Sequence, residues 1–423
     1  MIRNNNYPLD IDWILVLLYL SFVVFGWMNI YSCSNYGVSN EILDFSKQYG
    51  KQIIWIGISL VISTIILFSN IKIIENLSIV IYIVSVLSLI LLYFFGKKMG
   101  GATSWYSIQN ISIQPSEFAK VATALLVSKY LSVAHINFNR LREQLYLMFI
   151  ILLPASIIFI QPDPGSALVF SSFFIVLYRE NIASRLIAFI IYSGIVFILA
   201  IVINNYVLIG ILLLIYSIYV YFNRKNRFIS TLILVYSFLL LPTTNFLVEN
   251  AFGKRHIDRI NVVLGIDEDI RGIGYNVYQS KIAIVSGGLT GKGYLKGPHT
   301  IGKFIPKQST DFIFSTIGEE WGFIGSSVFI VAYLLLLIRI VMNSELQKNM
   351  FSKIYGYCVA SILFIHFCIN ISMSMNLIPV IGIPLPFISY GGSSLISFTV
   401  LLFIFIKLDA NKSNILKECT TLH

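Results

Sequence analysis

One long polar segment, running from Asp258 to Phe323, interrupts a chain that otherwise consists mainly of apolar runs. Glycines and basic residues recur along it, and a single carboxylate stands at Asp311, where the chain turns apolar again. Long loops are uncommon unless they are functional, so a segment of this length favours a functional role over that of a simple connector. A solvated outer loop without chemistry fits the composition equally well.

A second polar cluster, Gln114-Pro115-Ser116-Glu117-Phe118-Ala119-Lys120, begins another apolar run. Proline suits the first turn of a helix, and Glu117 then lies near the positive end of the helix dipole. Glu117 and Lys120 are three residues apart, so they share one face of the helix and can pair. Charged residues at the start of a span either line a cavity or tie two spans together, and the pattern leaves both open.

Two further clusters contain prolines. Gln161-Pro162-Asp163-Pro164-Gly165-Ser166 separates two apolar runs, which places Asp163 at a helix break, either in a site or as a helix cap. Prolines and glycines between Asn370 and Ser389 predict a re-entrant or broken segment, which protein or water must cover. Ser389 and the small residues after it indicate either a polar site or close helix packing.

Such clusters must be positioned by a membrane fold. The chain is 57% hydrophobic and 12% charged, which excludes an ordinary soluble domain. Its mean hydropathy is +0.81. Basic cytoplasmic loops, anionic lipid headgroups or a phosphorylated substrate account for the net charge of +10, so nucleic acid need not be a partner.

We predict an all-α, polytopic helical membrane protein of about twelve spans, forming a single domain over residues 1–423. The predicted spans are 13–33, 52–70, 74–96, 117–134, 145–161, 166–179, 183–203, 205–222, 228–248, 322–342, 353–375 and 386–408. Lysine and arginine concentrate in alternate short loops, which predicts that both termini are cytoplasmic. Residues 249–321 then form one large extracytoplasmic loop.

Several motifs occur in an order typical of one membrane protein family. They are QPSEFAK, QPDPGSALV, GYNVYQSKIAIVSGGLTGKG, STDFIF with GEEWGFIG, and IPVIGIPLPFISYGGSS. In these motifs the chain resembles the SEDS family (shape, elongation, division and sporulation) along nearly its whole length. The glycine-rich run is more similar to the elongation branch than to the division branch. Members commonly have about ten spans, so residues 205–248 are expected to be an inserted helical pair.

The resemblance implies a multi-pass peptidoglycan glycosyltransferase of the bacterial inner (cytoplasmic) membrane. Such an enzyme polymerises lipid II, the lipid-linked disaccharide-pentapeptide, by inverting attack of a 4-hydroxyl while undecaprenyl diphosphate leaves. Asp311 matches the family's essential acid, and Asp163 matches the acid of its QPD motif. Glu117 and Lys120 match its polar pair. An aspartate is normally ionised at neutral pH and can therefore act as the base.

The same chemistry needs positive charge near the diphosphate. The resemblance and the basic loop together suggest further substrate-binding candidates: Lys120, Arg255, Arg259, Lys281 and Ser389. A divalent cation, Mg²⁺ or Mn²⁺, could contribute, and Asp311 could hold it instead of acting as a base. No organic cofactor is expected. The expected partners are a class B penicillin-binding protein that supplies transpeptidation, other membrane proteins of the elongation complex, and membrane lipids.

The chain departs from the family pattern near Asp311. The usual PE-x-H-T-D-F reads Pro306-Lys307-Gln308-Ser309-Thr310-Asp311-Phe312, so a glutamate and a histidine are missing. Thr103-Ser104 replaces a common basic pair, and QPDLG reads QPDPG. Two other functions remain open: a flippase or transporter of a lipid-linked precursor, since broken helices and intramembrane charges are typical of transporters, and a non-catalytic scaffold of the cell-wall synthesis complex.

Overall fold

The computed structural model describes residues 11–34, 44–99, 102–108, 111–133, 138, 140–182, 184–202, 205–222, 227–250 and 274–412. These residues are mostly helical, which confirms the predicted fold class. The chain forms two compact units, Met1–Glu180 with Asn276–His423, and Asn181–Tyr275. The predictions of one domain over the whole chain and of an inserted pair stay predictions.

The first unit contains most of the elements. Before the second unit they are α1 (Trp13–Ser34), α2 (Gln48–Phe68), α3 (Ile71–Phe95), β1 (Lys97–Met99), β2 (Ala102–Ile108), β3 (Ile111–Ile113), α4 (Pro115–Leu131), α5 (Leu141–Ile160), α6 (Pro164–Val169) and α7 (Ser172–Arg179). The second unit contains α8 (Ser184–Val202), α9 (Asn205–Phe222) and α10 (Arg227–Asn250). The chain then continues through α11 (Tyr275–Ser286), α12 (Pro298–Ile301), α13 (Ile313–Glu345), α14 (Met350–Ser374) and α15 (Gly392–Ala410).

Helices α4, α14 and α15 form the interior of the first unit. In α14, 78% of the helix's most apolar 18-residue window is buried, and in α15 the share is 83%. The corresponding share in α2 is 17%, so α2 is peripheral. Helix α14 packs against α13 and α4, and α15 packs against α2. Helix α4 is almost entirely buried although it carries Glu117 and Lys120. Buried charges inside a membrane protein are costly, so these two side chains need partners.

A small antiparallel sheet, in the order β1-β2-β3, follows α3, and the prediction of helices alone missed it. Its register places Tyr106 of β2 opposite Ile113 of β3. The residues of β2 include Thr, Trp, Tyr and Ile, which favour strands. The preceding pair Gly100-Gly101 is a typical hairpin sequence, so a signal for this sheet was present.

Helix α13 is interrupted at Gly322, where φ is 66°. The N–H of Phe323, which has no helical partner at this break, donates to the carbonyl oxygen of Gly288 at 2.9 Å. An added Cβ on Gly291 would lie 2.1 Å from a backbone oxygen of α13, so only glycine allows this approach. The glycine-rich 287–293 motif therefore packs into the break and places α11 against α13.

Residues 375–391, the linking segment, join α14 to α15 without regular secondary structure, in agreement with the broken segment that the prolines predict. Neighbouring backbones approach it closely. A Cβ added to Gly26 of α1 would lie 2.7 Å from Ile388 Cα, and one added to Gly165 of α6 would lie 2.4 Å from the Ile381 carbonyl oxygen. Protein thus covers the later part of the irregular backbone, around residues 383–389, whereas Met375 and Leu377 lie exposed.

The second unit is held together by apolar packing and hydroxyl pairs. Tyr192 of α8 lies 2.6 Å from Ser237 of α10, measured between the hydroxyl oxygens. The hydroxyl oxygens of Tyr216 on α9 and Thr231 on α10 lie 2.9 Å apart. Interhelical hydrogen bonds of this kind are typical of membrane helices, whose surroundings offer little competing water.

Eight of the described helices are long and apolar enough to cross a membrane: α1, α2, α3, α5, α9, α13, α14 and α15. The membrane class is therefore confirmed, whereas the count of twelve spans stays a prediction.

Two predicted helix starts were wrong. The helix expected at 322 begins at Ile313, because Gly322 bends it without ending it. The helix expected at 386 begins at Gly392, because the φ of 66° at Phe387 does not fit a helix.

Candidate active site

Asp311 lies in the turn that precedes α13, and its side chain is partly exposed. Its backbone N–H donates to the Lys307 carbonyl oxygen at 3.1 Å. The next residue, Phe312, is 1% exposed and packs in an apolar cluster with Val277 and Ile305. The backbone that carries the carboxylate is therefore fixed, and Asp311 itself is only partly buried.

The linking segment lies beside this turn. The side-chain amide of Asn370 on α14 donates to the Asp311 carbonyl oxygen at 3.0 Å and to the Ile383 carbonyl oxygen at 2.8 Å. A Cβ added to Gly382 would lie 3.6 Å from Asp311 Oδ2, so the carboxylate lies next to this glycine. One buried amide thus joins the turn that carries Asp311 to the linking segment.

Ser389 supports the same turn from the other end of the linking segment. Its hydroxyl donates to the Thr310 carbonyl oxygen at 2.6 Å and accepts from the Leu385 N–H at 2.9 Å. The side chain is only 3% exposed. This geometry supports a packing and positioning role for Ser389, and its binding of substrate stays a prediction.

Glu117 and Lys120 form the predicted ion pair, with 2.9 Å between Lys120 Nζ and Glu117 Oε2. Both residues are buried, at 2% and 1% exposure. The Ser397 hydroxyl on α15 donates to the same carboxylate oxygen at 3.2 Å. The pair therefore connects α4 with its neighbours, which favours the structural alternative over direct contact with substrate.

His366 of α14 completes this network, and it was not among the sequence candidates. Its Nε2 lies 2.8 Å from Lys120 Nζ, and its Nδ1 lies 3.2 Å from the Pro384 carbonyl oxygen. An ammonium can only donate, so Nε2 accepts and Nδ1 donates to the linking segment. His366 and Asn370 are four residues apart and share a helix face. That spacing of polar residues within an apolar run was the available signal.

Asp163 caps helix α6. Its Oδ1 accepts from the Ser166 N–H at 3.1 Å, and its Oδ2 accepts from the Ser166 hydroxyl at 2.9 Å. The Gln114 side-chain amide, which precedes α4, donates to Asp163 Oδ2 at 3.2 Å. The two Gln-Pro motifs therefore meet in space. The cap accounts for the acid locally, and its contact with substrate stays a prediction.

Glu319 of α13 organises the chain before Asp311. Its carboxylate accepts from the backbone N–H groups of His299 and Thr300 at 2.8 and 2.9 Å, and from the Thr300 hydroxyl at 2.6 Å. The Gln308 side-chain amide then donates to Thr300 Oγ1 at 3.1 Å. A buried carboxylate with three donors thus orders residues 298–308, and the sequence analysis had assigned it no such role.

The remaining candidates are dispersed. Lys281 lies exposed on α11. Arg255 and Arg259 lie outside the described residues. Within the part of the chain that the structure describes, no three His, Cys, Asp or Glu side chains form a group that could hold a metal ion.

Comparison with known proteins agrees with this architecture. The profile of the FtsW/RodA/SpoVE family, described as cell cycle proteins, matches residues 12–414. The chain belongs to the FtsW/RodA/SpoVE family. The SEDS resemblance is thereby confirmed.

Among curated relatives of this family member, peptidoglycan glycosyltransferase RodA of Treponema pallidum (strain Nichols) is 30% identical over 426 residues, covering 91% of this chain and 94% of the relative. Peptidoglycan glycosyltransferase MrdB of Escherichia coli (strain K12) is 28% identical over 387 residues, covering 91% and 90%. The fold matches a chain from a peptidoglycan synthase complex that coordinates polymerization and crosslinking. That match has a TM-score of 0.68 at 22% identity and covers 96% of this chain and 99% of the other.

Proposed function

We propose that this FtsW/RodA/SpoVE family member is a peptidoglycan glycosyltransferase that polymerises lipid II during cell elongation. Its membership of the family and the activity named for its relatives support this reaction class. The observation that carries the proposal is that Asp311, which matches the family's essential acid, is partly exposed on a backbone fixed by Lys307 and Asn370.

The proposed reaction forms one glycosidic bond. The 4-hydroxyl of the acceptor sugar attacks the anomeric carbon of the donor, its C–O bond to diphosphate breaks, and undecaprenyl diphosphate leaves with the electron pair. Asp311 accepts the hydroxyl proton as the new bond forms. A base held on a fixed backbone meets the acceptor in one orientation, which lowers the entropic part of the barrier.

If a divalent cation takes part, Asp311 is the residue of this turn that would hold it. Mg²⁺ is commonly bound in this way, through one or two carboxylates and phosphate oxygens with several waters retained. Asp311 would be the protein ligand, and the cation would neutralise charge on the departing diphosphate. Dependence of polymerisation on Mg²⁺ or Mn²⁺, with chelator as control, measures this contribution.

The same proposal assigns the chain a place in the cytoplasmic membrane, with both termini inside and the 249–321 region outside. Its partner would be a class B penicillin-binding protein, which would crosslink the polymerised glycan. The related fold in a complex that couples polymerization and crosslinking supports such a pairing.

Replacing Asp311 with asparagine tests the function directly. Asparagine has nearly the same shape but cannot accept the proton as a carboxylate does, so we expect polymerisation of lipid II to fall about 10²–10⁴-fold. Lipid II binding and thermal unfolding of the purified protein should stay unchanged. Asp409→Asn, the same change near the end of α15, is the matched control. Near-normal polymerisation by well-folded Asp311→Asn protein would remove the catalytic assignment.

A further inference from the structure

The turn that carries Asp311 is held from outside through three successive backbone carbonyl groups, those of residues 309–311. Each of them accepts one hydrogen bond from the linking segment or from α14. The donors, in order, are the Tyr390 N–H at 2.8 Å, the Ser389 hydroxyl at 2.6 Å and the Asn370 side-chain amide at 3.0 Å. The position of Asp311 therefore depends on the position of the linking segment.

The linking segment is itself held by two side chains of α14 that lie one turn apart on the same face. The Asn370 amide also donates to the Ile383 carbonyl oxygen at 2.8 Å, and His366 Nδ1 lies 3.2 Å from the Pro384 carbonyl oxygen. The prolines at 384 and 386 have no N–H, so a regular backbone ladder cannot fix this stretch. Side-chain donors therefore decide where it lies.

The imidazole of His366 has one favourable arrangement of its hydrogens. The Pro384 carbonyl oxygen can only accept, so Nδ1 carries a hydrogen and donates it. Nε2 lies 2.8 Å from Lys120 Nζ, and a hydrogen on Nε2 would bring two cations together where His366 is only 1% exposed. The ring is therefore neutral, and its Nε2 accepts from Lys120.

The ring is also fixed in orientation. The Phe398 ring of α15 meets it edge-on, with centroids 4.8 Å apart and planes at 85°. On the other side, Lys120 is held by its ion pair with Glu117 on α4. A rotation of the imidazole would break both of its hydrogen bonds and deprive a buried ammonium and a buried carbonyl group of a partner. His366 therefore ties the position of Pro384 to that of α4.

We propose that His366 is a positioning residue: it fixes Pro384 and, through the linking segment, holds Asp311 in the orientation in which Asp311 takes the acceptor proton. This inference rests on the proposed function for the identity of that reaction. His366 is too deeply buried to touch the substrate, so its effect passes through the linking segment. A packing role alone would stabilise the fold without setting the rate, and kinetics separate the two roles.

Polymerisation of lipid II by the purified full-length His366→Leu protein tests this role. Leucine can neither accept from Lys120 nor donate to Pro384, so we expect kcat to fall roughly 10- to 100-fold, as a small displacement of a catalytic group does. KM should change less than about twofold, because the substrate does not contact His366. His366→Gln should recover most of kcat, since glutamine carries a donor and an acceptor on a side chain of similar length. A glutamine variant as slow as the leucine variant, or an effect confined to KM, would overturn the inference.

Tyr355→Phe is the matched control. Tyr355 is fully buried on the same helix, and its hydroxyl donates to the Leu401 carbonyl oxygen of α15 at 3.1 Å. The variant therefore loses one interhelical hydrogen bond that does not involve the linking segment, and it should keep kcat near that of the wild type. If His366→Leu protein does not fold, His366→Ala replaces it with the same expected loss of kcat, because its smaller side chain leaves space for a water molecule beside Lys120.

A second substitution in the linking segment tests the route of the effect. Ser389→Ala removes the hydroxyl that accepts from the Leu385 N–H and donates to the Thr310 carbonyl oxygen. If His366 acts through the linking segment, the double variant His366→Leu/Ser389→Ala should lose less kcat than the product of the two single effects. Effects that simply multiply would overturn the inference.

Hydrogen exchange separates this inference from the proposed function, because it requires no turnover. The Tyr390 N–H donates to the Ser309 carbonyl oxygen, so exchange in residues 385–391 reports whether the linking segment still holds the turn. We expect roughly tenfold or faster exchange there in His366→Leu protein and no change in Tyr355→Phe protein. If exchange rises in this way but the wild type makes no polymer, the positioning contact stands and the function fails. If the wild type polymerises lipid II, unchanged exchange in His366→Leu protein overturns the inference whether or not kcat falls, since His366 would not act through the linking segment.

Discussion

The side-chain amide of Asn370 donates to the backbone carbonyl oxygen of Asp311 across 3.0 Å, although the two residues lie on different elements. The same amide holds Ile383 of the linking segment at 2.8 Å. Asn370 is fully buried, so water cannot replace either bond. The position of the proposed base therefore depends on a residue that lies one helix away from it.

We expect Asn370→Ala to slow lipid II polymerisation roughly 10- to 100-fold, because a small displacement of a catalytic group has effects of this size. The two carbonyl groups that lose their donor would also destabilise the fold by about 1–3 kcal/mol each. Polymerisation rate and thermal unfolding are measured on the same preparation. Ser374→Ala, one turn further along α14, is the control, since its hydroxyl donates only within the helix to the Asn370 carbonyl oxygen. Equal losses in both variants would contradict the positioning role.

Glu117→Gln should lower membrane abundance together with activity. It leaves the buried ammonium of Lys120 without its counterion, and breaking a buried pair in this way costs about 3–5 kcal/mol. The double variant Glu117→Gln/Lys120→Met should recover part of the abundance, because it removes the unpaired charge. Abundance in membranes and thermal unfolding after purification report the effect.

The control for this pair is Lys353→Gln. Lys353 and Glu345 are 3.9 Å apart with side chains 29% and 43% exposed, so their ion pair should contribute less than about 1 kcal/mol. Full abundance of Glu117→Gln protein with lost activity would instead show that the pair serves the substrate. Full abundance with normal activity would contradict both roles.

Glu319→Gln should loosen residues 298–308 while the remainder of α13 stays protected. The carboxylate accepts three hydrogen bonds. In glutamine an amide NH₂ group replaces one oxygen, and because this group can only donate, it cannot accept hydrogen bonds from the same partners. Hydrogen exchange followed by mass spectrometry should show roughly 10-fold or faster exchange in this stretch. Glu345→Gln, at the other end of α13, should leave it unchanged. Undisturbed protection in Glu319→Gln protein would show that the loop is ordered by other contacts.

The predicted topology is measured by cysteine labelling in a background without the native cysteines. Lys296→Cys should react with an impermeant reagent in intact spheroplasts, because the 249–321 region is predicted outside. Lys348→Cys, in the exposed turn between α13 and α14, should react only after permeabilisation. The reverse pattern at the two positions would invert the topology.

Local properties of the sequence were sufficient for the fold class, the family and the candidate list. Hydropathy identifies the runs that can enter a bilayer. The motifs that contain Glu117, Asp163 and Asp311 consist of residues that are neighbours along the chain, so the sequence shows them directly. The proline-rich stretch before Ser389 likewise predicted irregular backbone, since proline restricts its own residue and the one before it.

Only the tertiary structure decided which of these residues act on one another. Lys120 and His366 meet although 246 positions separate them, and Lys47 lines the same cleft as Lys307. Helix packing brings such residues together, and that packing depends on the shapes of whole helix surfaces, which residue spacing along one segment does not encode. For the same reason Lys120, a candidate phosphate ligand by sequence, is a buried cation paired with Glu117 in the fold.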